Sequence, residues 1–426
     1  MKKNFKMLLL VLFVAAVFCL QPNSAAAKDC EFDFYYQCIE KVVQINDPEP
    51  EGWWGHTKSF LKSGVNLVKK TWEKAVTRNY APGEGTKRWY SDNKNIAYDV
   101  KRVKVTSEEQ LLQLMGAKSE SELSDGQKAL LAVYRHSKSQ NVKDRMKYNF
   151  RSSINVILSD TTGFDDPAKY PEIKDDFWPY SSGPTIQMSS NRYSWPGSDV
   201  SARSTFVHEF AHSFDRTIKE FIHPYGKDGS HYANELSKPR SAFVEGWAEF
   251  NEMLDSDEKA TQMRNNISLV KVESKEKAGD YTNVEPETLT GEQLMCVEGI
   301  NAVIMHRMAT EIDGGKDKVF DAFLKTRWKL FRSLKSLTLE FAKKNPGDIE
   351  KIAKIIDEQT FGKLSDKEMM EYIGKSDAAK TWLKTRAEAK AAEENGVAAS
   401  GTEATNTGRP ADIKVKTETT NPFSVK

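Results

Sequence analysis

The chain has 426 residues, with 62 basic and 61 acidic side chains and a formal net charge of +1 at neutral pH. This even balance argues against nucleic acid as a partner, because binding to phosphate needs clustered Lys and Arg. It gives no sign of affinity for a membrane surface either. Only four cysteines are present, which excludes a scaffold held together by disulfides.

Residues 1–27 have the pattern of a secretory signal peptide. Lys2, Lys3 and Lys6 precede an uncharged apolar run, and small residues ending at Ala27 suit cleavage after that position. The run is shorter than the about 20 residues of a membrane span, so a cleaved signal is favoured over a retained anchor. Cleavage removes three of the 62 basic residues and no acid, which leaves a net charge near −2. We expect an exported protein, secreted or periplasmic, with no membrane attachment after cleavage.

Residues 28–100 are rich in aromatic side chains and irregular, and we interpret them as an N-terminal segment or a removable prodomain. One amphipathic stretch, residues 57–76, predicts a helix. Export favours a disulfide between Cys30 and Cys38, which would close a small loop. Cys296 lies in an apolar helical pattern and is expected to be a buried free thiol.

Residues 101–285 are expected to form the catalytic core. The predicted elements are, in chain order, a helix over 106–117 opened by a Thr106-x-x-Glu109 capping box, a helix over 125–137, strands over 154–158 and 185–188 on either side of a loop over 163–183, and a long helix over 199–220.

Beyond residue 285 the pattern is almost wholly helical, and residues 286–394 are interpreted as a helical C-terminal subdomain. Its predicted helices cover residues 291–312, residues 318–341 and a stretch opened by a Ser365-x-x-Glu368 capping box. Residues 395–426 carry almost no large apolar side chain. They bury too little surface to offset the entropy of ordering, so a disordered tail is expected.

The predicted long helix carries the sequence His208-Glu209-Phe210-Ala211-His212. Positions i and i+4 lie on one helical face, so both imidazoles can reach one zinc ion at about 2.0–2.1 Å. Glu209 can take a proton from a water whose pKa the metal lowers. The alternative is a core helix with two histidines. The apolar residues around the motif favour the metal site, because buried polar groups need partners.

A catalytic zinc ion needs a third protein ligand and an open position. Asp215 stands where the metzincin pattern has glycine, which excludes that class. The helical pattern over residues 243–250 places Glu245 and Glu249 one turn apart on a shared face. One is expected to bind zinc, with Glu245 favoured, and the other to accept the N–H of a ligating histidine. Two acids facing solvent on an amphipathic helix are the alternative.

His-Glu-x-x-His followed by Glu-Gly-x-Ala-Glu resembles the gluzincin clan of zinc metallopeptidases, which includes thermolysin-like, aminopeptidase-like and bacterial collagenase-like enzymes. The resemblance covers residues 185–255. It implies a zincin-like core that holds one catalytic Zn²⁺. Carried over to this chain, it implies that His208, His212 and Glu245 are the ligands and that Glu209 is the general base.

The same resemblance implies an edge strand before the motif helix, which binds the substrate backbone by β-augmentation. Residues 185–189 stand where this strand should lie. No Gly-x-Met-Glu-Asn exopeptidase motif occurs, which disfavours an aminopeptidase, and the chain is too short for a full clostridial-type collagenase. Residues 208–215 also resemble the anthrax lethal factor and Pro-Pro endopeptidase group. Lys238 departs from that pattern, which has a tyrosine seven residues before the ligand glutamate.

The resemblance to gluzincins also implies a Tyr or His that donates a hydrogen bond to the developing tetrahedral oxygen. The loop between the motif and the ligand helix offers four candidates, namely His223, Tyr225, His231 and Tyr232. We select His231 or Tyr232. Asp215 is either a hydrogen-bond partner of the zinc site or an acid on the helix surface.

The sequence thus predicts an α+β, mainly helical fold, with a small sheet, an active-site helix and a helical C-terminal half. The expected function is that of a secreted zinc metalloendopeptidase acting on protein or peptide substrates. Two alternatives stay open. One is a zinc-binding pseudoprotease or binding protein, which the intact Glu209 disfavours, and the other is a zinc amidase acting on cell-wall peptides.

Overall fold

A computed structural model of the chain describes most of the sequence beyond residue 30. The described residues are 31–44, 84–90, 96–149, 151, 153–164, 169–170, 177–182, 184–214, 232–274, 276–277, 279–326 and 332–399. The helix predicted over residues 57–76 lies outside them. The chain divides into two compact units, the first ending at Gly374 and the second beginning at Lys375.

Six strands form one mixed sheet: β1 Glu31–Gln44, β2 Gly85–Tyr90, β3 Ile96–Val105, β4 Ser153–Asp160, β5 Tyr180–Ser182 and β6 Thr185–Ser189. Their order across the sheet is β2-β3-β1-β4-β6-β5. β1 pairs antiparallel with β3 and parallel with β4, and β4 pairs parallel with β6. The aromatic-rich N-terminal segment therefore supplies a central strand of the sheet.

The strand at residues 185–189 is not the edge strand that the resemblance implied. Thr185, Ile186 and Gln187 of β6 pair antiparallel with β5, and β5 is the last strand of the sheet. β5 lies within the stretch that was predicted to be loop. A three-residue strand between a proline and a glycine is too short to show alternation, so only its hairpin pairing with β6 defines it.

The helices that the structure describes in the first unit are α1 Glu108–Leu114, α2 Asp125–His136, α3 Gln140–Met146, α4 Asp199–His212, α5 Pro239–Asp255, α6 Asp257–Asn266, α7 Gly291–Leu294, α8 Glu298–Glu311, α9 Gly315–Thr326, α10 Leu334–Lys344, α11 Ile349–Gln359 and α12 Asp366–Ile373. A two-stranded hairpin, β7 Val270–Glu273 and β8 Tyr281–Val284, lies between α6 and α7. The predicted α+β, mainly helical class is confirmed. Among the described helices, none is both long and apolar enough to cross a membrane.

Two predicted helix starts have different outcomes. The capping box predicted at Thr106 is wrong by one position. Ser107 is the N-cap of α1 and accepts a bond from the Gln110 backbone N–H, while Thr106 donates its own N–H to the Gln110 side chain. The Ser365 and Glu368 box at the start of α12 is confirmed in both directions.

Three predicted helices end or break earlier than expected. Residues 291–312 form α7 and α8, separated by a turn in which the Cys296 carbonyl accepts the Ser237 N–H at 2.9 Å. Residues 318–341 are shared between α9 and α10. α4 ends at His212, and residues 215–231 lie outside the described part.

The second unit contributes α13, Asp377–Ala399. The prediction of a disordered tail over residues 395–426 is therefore wrong for residues 395–399, which belong to α13. The remaining tail residues, 400–426, lie outside the description.

The predicted Cys30–Cys38 disulfide is wrong. Cys38 is free, and it lies on β1, which is continuously extended from Glu31. Cys30 lies outside the described residues, but it directly precedes Glu31 in the chain. The seven residue steps of extended strand from Glu31 to Cys38 span roughly 23 Å, whereas the Cα atoms of a disulfide lie within about 7 Å of each other. Cys296 is a free thiol as expected, but it is half-buried in the turn between α7 and α8.

Aromatic packing fixes α4 between the sheet and the helices. Phe206 and Phe210 are fully buried, and their ring centroids lie 5.6 and 5.3 Å from that of Phe32 on β1. On the other side Trp247 of α5 stacks on Phe323 of α9 with centroids 3.7 Å apart. Burial of side chains of this size contributes about 1.5–3 kcal/mol each, so the positions of α4 and α5 are strongly determined.

Gly246 allows α5 to approach α8 closely. A Cβ atom at this position would lie 2.7 Å from the Glu298 carbonyl oxygen and 2.8 Å from Asn301 Cβ. We expect Gly246→Ala to lower the free energy of unfolding by about 1–3 kcal/mol, because overpacking outweighs the gain in helix propensity. Gly347→Ala is the matched control, since a Cβ there would meet nothing within 4 Å. Urea denaturation of both variants measures the effect, and equal stabilities would contradict it.

Asp255, at the end of α5, joins this helix to α2 and α3. Its carboxylate lies 2.6 Å from Arg145 Nη2 and 2.9 Å from His136 Nε2. Arg145 is 1% exposed and also donates to the Asn251 carbonyl at 2.9 Å. Burial alone would raise the pKa of Asp255, but contacts with His136 and Arg145 outweigh it and hold the pKa below its ordinary value.

Asp255→Asn should lower the free energy of unfolding by about 3–5 kcal/mol at neutral pH, because the buried Arg145 loses its counter-charge. A depressed carboxyl pKa contributes stability above the unfolded-state value, and this stability is lost as the pH falls through the folded-state value. The difference between wild type and variant should therefore persist down to about pH 4 and narrow only below it. Urea denaturation at several pH values tests this, and a difference that does not change below pH 4 would contradict it.

Candidate metal centre

α4 presents the two motif histidines on one face. The ring centroids of His208 and His212 lie 4.8 Å apart with the ring planes at 80°. The opposite face of the helix carries Phe206 and Phe210, which are buried against the sheet. The buried face fixes the rotation of the helix, and this rotation directs both imidazoles towards α5.

Glu245 of α5 meets both imidazoles. Its Oε2 atom lies 3.3 Å from His208 Nε2 and 3.1 Å from His212 Nε2. Ligand atoms of these three side chains all lie within 4.8 Å of one another. The residues that the sequence singled out as metal ligands are therefore brought together, and Glu245, rather than Glu249, meets both histidines.

The donor set and its spacing fit a zinc ion. Two ligand atoms on one tetrahedral zinc, each about 2.0–2.1 Å from the metal, are roughly 3.3 Å apart. The distances from Glu245 to the two imidazole nitrogens match this value. Two imidazoles and one carboxylate are also a set that a catalytic zinc uses, since they leave a fourth position open.

The charges in the cluster are compatible with a bound cation. Burial alone would raise the pKa of Glu245, but the adjacent His212 and His208 outweigh it and hold the pKa well below the ordinary value. Burial would lower the pKa of His208, but hydrogen bonds to Glu245 and Glu252 raise it well above the ordinary value. A metal ion would displace the proton from the ligand nitrogens, so its binding should release protons.

Glu252, not Glu249, orients the first histidine. Its Oε1 atom lies 2.8 Å from His208 Nδ1, while Ser204 donates its hydroxyl to the same carboxylate and Lys259 Nζ lies 3.7 Å away. With Nδ1–H directed at Glu252, the Nε2 atom of His208 is left for a metal. The prediction that Glu249 makes this bond is therefore wrong.

The antiparallel packing of α4 and α5 explains this difference. Glu245 meets His212, and seven residues further along α5 Glu252 meets His208 and Ser204, which lie one and two turns back along α4. Seven residues make almost two full helical turns, so Glu245 and Glu252 share a face. The i+4 spacing pointed to Glu249, and the i+7 spacing of Glu252 gains meaning only once the packing of α5 against α4 is known.

Glu249 lies beside this network without contacting both histidines. It groups with His208 and Glu252, with ligand atoms within 4.8 Å. The pKa of Glu249 is raised to about 8, mainly by burial and in addition by the neighbouring charge of Glu252. A carboxyl group that keeps its proton near neutral pH is a poorer metal ligand than the ionised Glu245.

Replacing Glu252 should weaken zinc binding more than replacing Glu249. Loss of a residue that orients a ligating histidine typically lowers metal affinity 10–100-fold, and we expect about this effect for Glu252→Ala. Competition with a chromophoric zinc chelator measures it, with Glu249→Ala as the matched control on the same helix. A larger loss of zinc affinity for Glu249→Ala than for Glu252→Ala would show that Glu249, and not Glu252, orients the histidine.

Glu209 follows His208 on α4 and is half-buried. Burial raises its pKa, and the two histidines beside it act in the opposite direction. A raised carboxyl pKa makes the group a better proton acceptor, which is the property a general base needs. The predicted position of Glu209 beside the ligand cluster is consistent with this chemistry.

Tyr193 is a neighbour of this face that the sequence analysis missed. It ends the short 3-10 helix Ser190–Tyr193 after β6, it is 2% exposed, and its hydroxyl bonds Thr205, one turn before Glu209. Burial raises the pKa of Tyr193, and the nearby charge of Glu209 adds to the effect. The tyrosine therefore stays protonated beside the face of α4 that carries Glu209. No pattern in the sequence marks it.

Of the remaining predicted site residues, the structure describes only Tyr232. Tyr232 is 45% exposed and packs in the β7–β8 hairpin, where Lys271 Nζ lies 3.2 Å from its ring centroid and the Tyr281 ring lies 6.3 Å away. His231 and Asp215 lie outside the described residues. The hydrogen-bond donor to a tetrahedral oxygen thus stays a prediction.

Fold and site together define an α+β protein with a His–His–Glu cluster that could hold a metal ion. Comparison of the chain with protein-family models, with curated proteins and with solved structures gives no match. The functional assignment therefore rests on the geometry and chemistry of the cluster itself.

Proposed function

We propose that this protein is an exported zinc-dependent metalloendopeptidase that hydrolyses bonds in protein or peptide substrates. One observation carries the proposal: Nε2 atoms of His208 and His212 converge on a carboxylate oxygen of Glu245, while Glu209 lies on the same helix as the histidines. Metal ligands alone would suit a structural or binding site. The addition of Glu209, a half-buried carboxylate of raised pKa, favours hydrolysis.

His208, His212 and Glu245 would hold the zinc ion, which supplies a water of lowered pKa and polarises the scissile carbonyl. Glu209 takes the proton from the attacking water and delivers it to the leaving amine. Glu252 and Ser204 keep the His208 ring in the orientation and tautomer that ligation needs. The aromatic packing behind α4 keeps these groups in place during turnover.

An endopeptidase is favoured over an exopeptidase for two reasons. The sequence has no visible motif that captures a free amine or carboxylate at a chain end. In addition, α4 packs against both β5 and β6, so an edge strand on which an extended backbone can lie is next to the motif helix.

The test is cleavage of a peptide pool by the full chain, with and without a zinc chelator. The proposal predicts products that disappear with chelator and return when zinc is added back. A chain that binds zinc but yields no products would be a pseudoprotease or binding protein instead. Cleavage confined to cell-wall peptides in a pool that also holds ordinary peptides would identify an amidase.

A further inference from the structure

Two exposed tryptophans flank strands β5 and β6 along the chain. Trp178 precedes β5 and is 43% exposed, and Trp195 follows the 3-10 helix after β6 and is 41% exposed. The buried Gln187 side chain donates to the Trp178 carbonyl at 3.2 Å, which ties this segment to β6. The Trp195 ring lies 6.0 Å from that of buried Tyr193. Large aromatic side chains held at the surface by buried neighbours are typical of a binding surface.

Arg192 lies on one of these tryptophans. The central carbon of its guanidinium group is 3.9 Å from the Trp178 ring centroid. Within the described part of the chain, no acidic side chain forms an ion pair with Arg192, although the side chain is half-buried. Stacking holds the planar group by one face, so that its N–H edge can donate hydrogen bonds to a ligand. The ligand that matches this edge is a carboxylate, which guanidinium binds through two parallel hydrogen bonds.

The position of this stack connects it with the candidate metal centre. Arg192 directly precedes Tyr193, whose hydroxyl bonds Thr205, and Thr205 lies one turn before Glu209 on α4. Trp178 directly precedes the proline before edge strand β5. A chain that runs along β5 towards Glu209 would therefore pass the stacked pair.

We propose that edge strand β5 and the Trp178–Arg192 stack bind an extended polypeptide that carries an acidic side chain, with its carboxylate paired to Arg192. The proposal rests on the proposed function, because the polypeptide is the peptidase substrate. Backbone hydrogen bonds along β5 bind any sequence. Arg192 adds selectivity for Asp or Glu at one position near the scissile bond.

The test is a cleavage profile of a random peptide pool, read by mass spectrometry as the frequency of each residue at each position around the cut. Zinc-loaded full chain should prefer Asp or Glu over Asn or Gln about tenfold at one position, the effect of one charge-assisted hydrogen bond. Arg192→Gln should lose this preference, and Arg192→Glu should reverse it towards Lys and Arg. Arg203→Gln is the matched control, because Arg203 already pairs with Asp199 on α4, and it should keep the acidic preference.

The outcomes separate this proposal from the function on which it rests. Cleavage without an acidic preference, or with the same preference in Arg192→Gln, overturns the proposal and leaves the peptidase standing. If no peptide is cleaved, the peptidase assignment fails. The same pool is then passed over immobilised wild-type and Arg192→Gln chains. Acidic peptides retained by wild type alone would support the binding surface, and equal retention would overturn it.

Discussion

Glu209→Gln should lower kcat/KM for peptide cleavage by about 10²–10⁴-fold, the usual contribution of a general base. Glutamine has almost the same shape as glutamate but cannot accept the proton of the attacking water. The ligands His208, His212 and Glu245 are unchanged, so bound zinc should stay at the wild-type level. Activity and metal content, measured on the same preparation, therefore separate loss of the base from loss of the site.

Glu258→Gln is the matched control for this experiment. Glu258 is an exposed residue of α6 that contacts Gln262 on its own helix, and its replacement should leave both activity and zinc content unchanged. Wild-type activity in Glu209→Gln would mean that another group takes the proton. It would contradict the mechanism even if the metal site were real.

The sequence predicted those parts of the site that depend on local periodicity. His208, Glu209 and His212 lie within one and a half turns of a single helix, so their common face follows from helix geometry alone. Glu245 was found because carboxylates at helical spacing appear in an apolar context. Glu252 was missed because its role depends on how α5 packs against α4, and a pattern within one helix does not contain that information.

The strands show the same division between local and non-local information. β4 and β6 are rich in β-branched or buried residues and were predicted within two residues of their ends. β1 was interpreted as part of an irregular segment, although it pairs with β4 over more than a hundred intervening residues. Its acidic and basic side chains interrupt the apolar pattern, and parallel pairing at this separation leaves no local signal.

Glu245→Gln should lower zinc affinity more than 100-fold, beyond the 10–100-fold effect of residues that only orient a ligand. The amide removes the negative charge that balances the cation and offers a weaker oxygen donor. Cleavage should fall in parallel when zinc is limiting and recover in part at high zinc concentration. Chelator competition measures the affinity, and a zinc titration of activity measures the recovery.

Glu249→Gln is the matched control, since Glu249 lies one turn further along α5 and is half-buried. It should keep zinc affinity within about tenfold of wild type, because the group carries its proton near neutral pH and does not contact both histidines. The reverse result, a large loss for Glu249→Gln and a small one for Glu245→Gln, would assign the ligand role to Glu249.

The convergence of three side chains on one metal ion is tested most directly by anomalous X-ray scattering from crystals of the full chain grown with zinc. Data collected just above and just below the zinc absorption edge should give one strong difference peak, bounded by His208 Nε2, His212 Nε2 and Glu245 Oε2. No peak at this position, or a peak held by other residues, would contradict the assignment of a zinc centre to this protein.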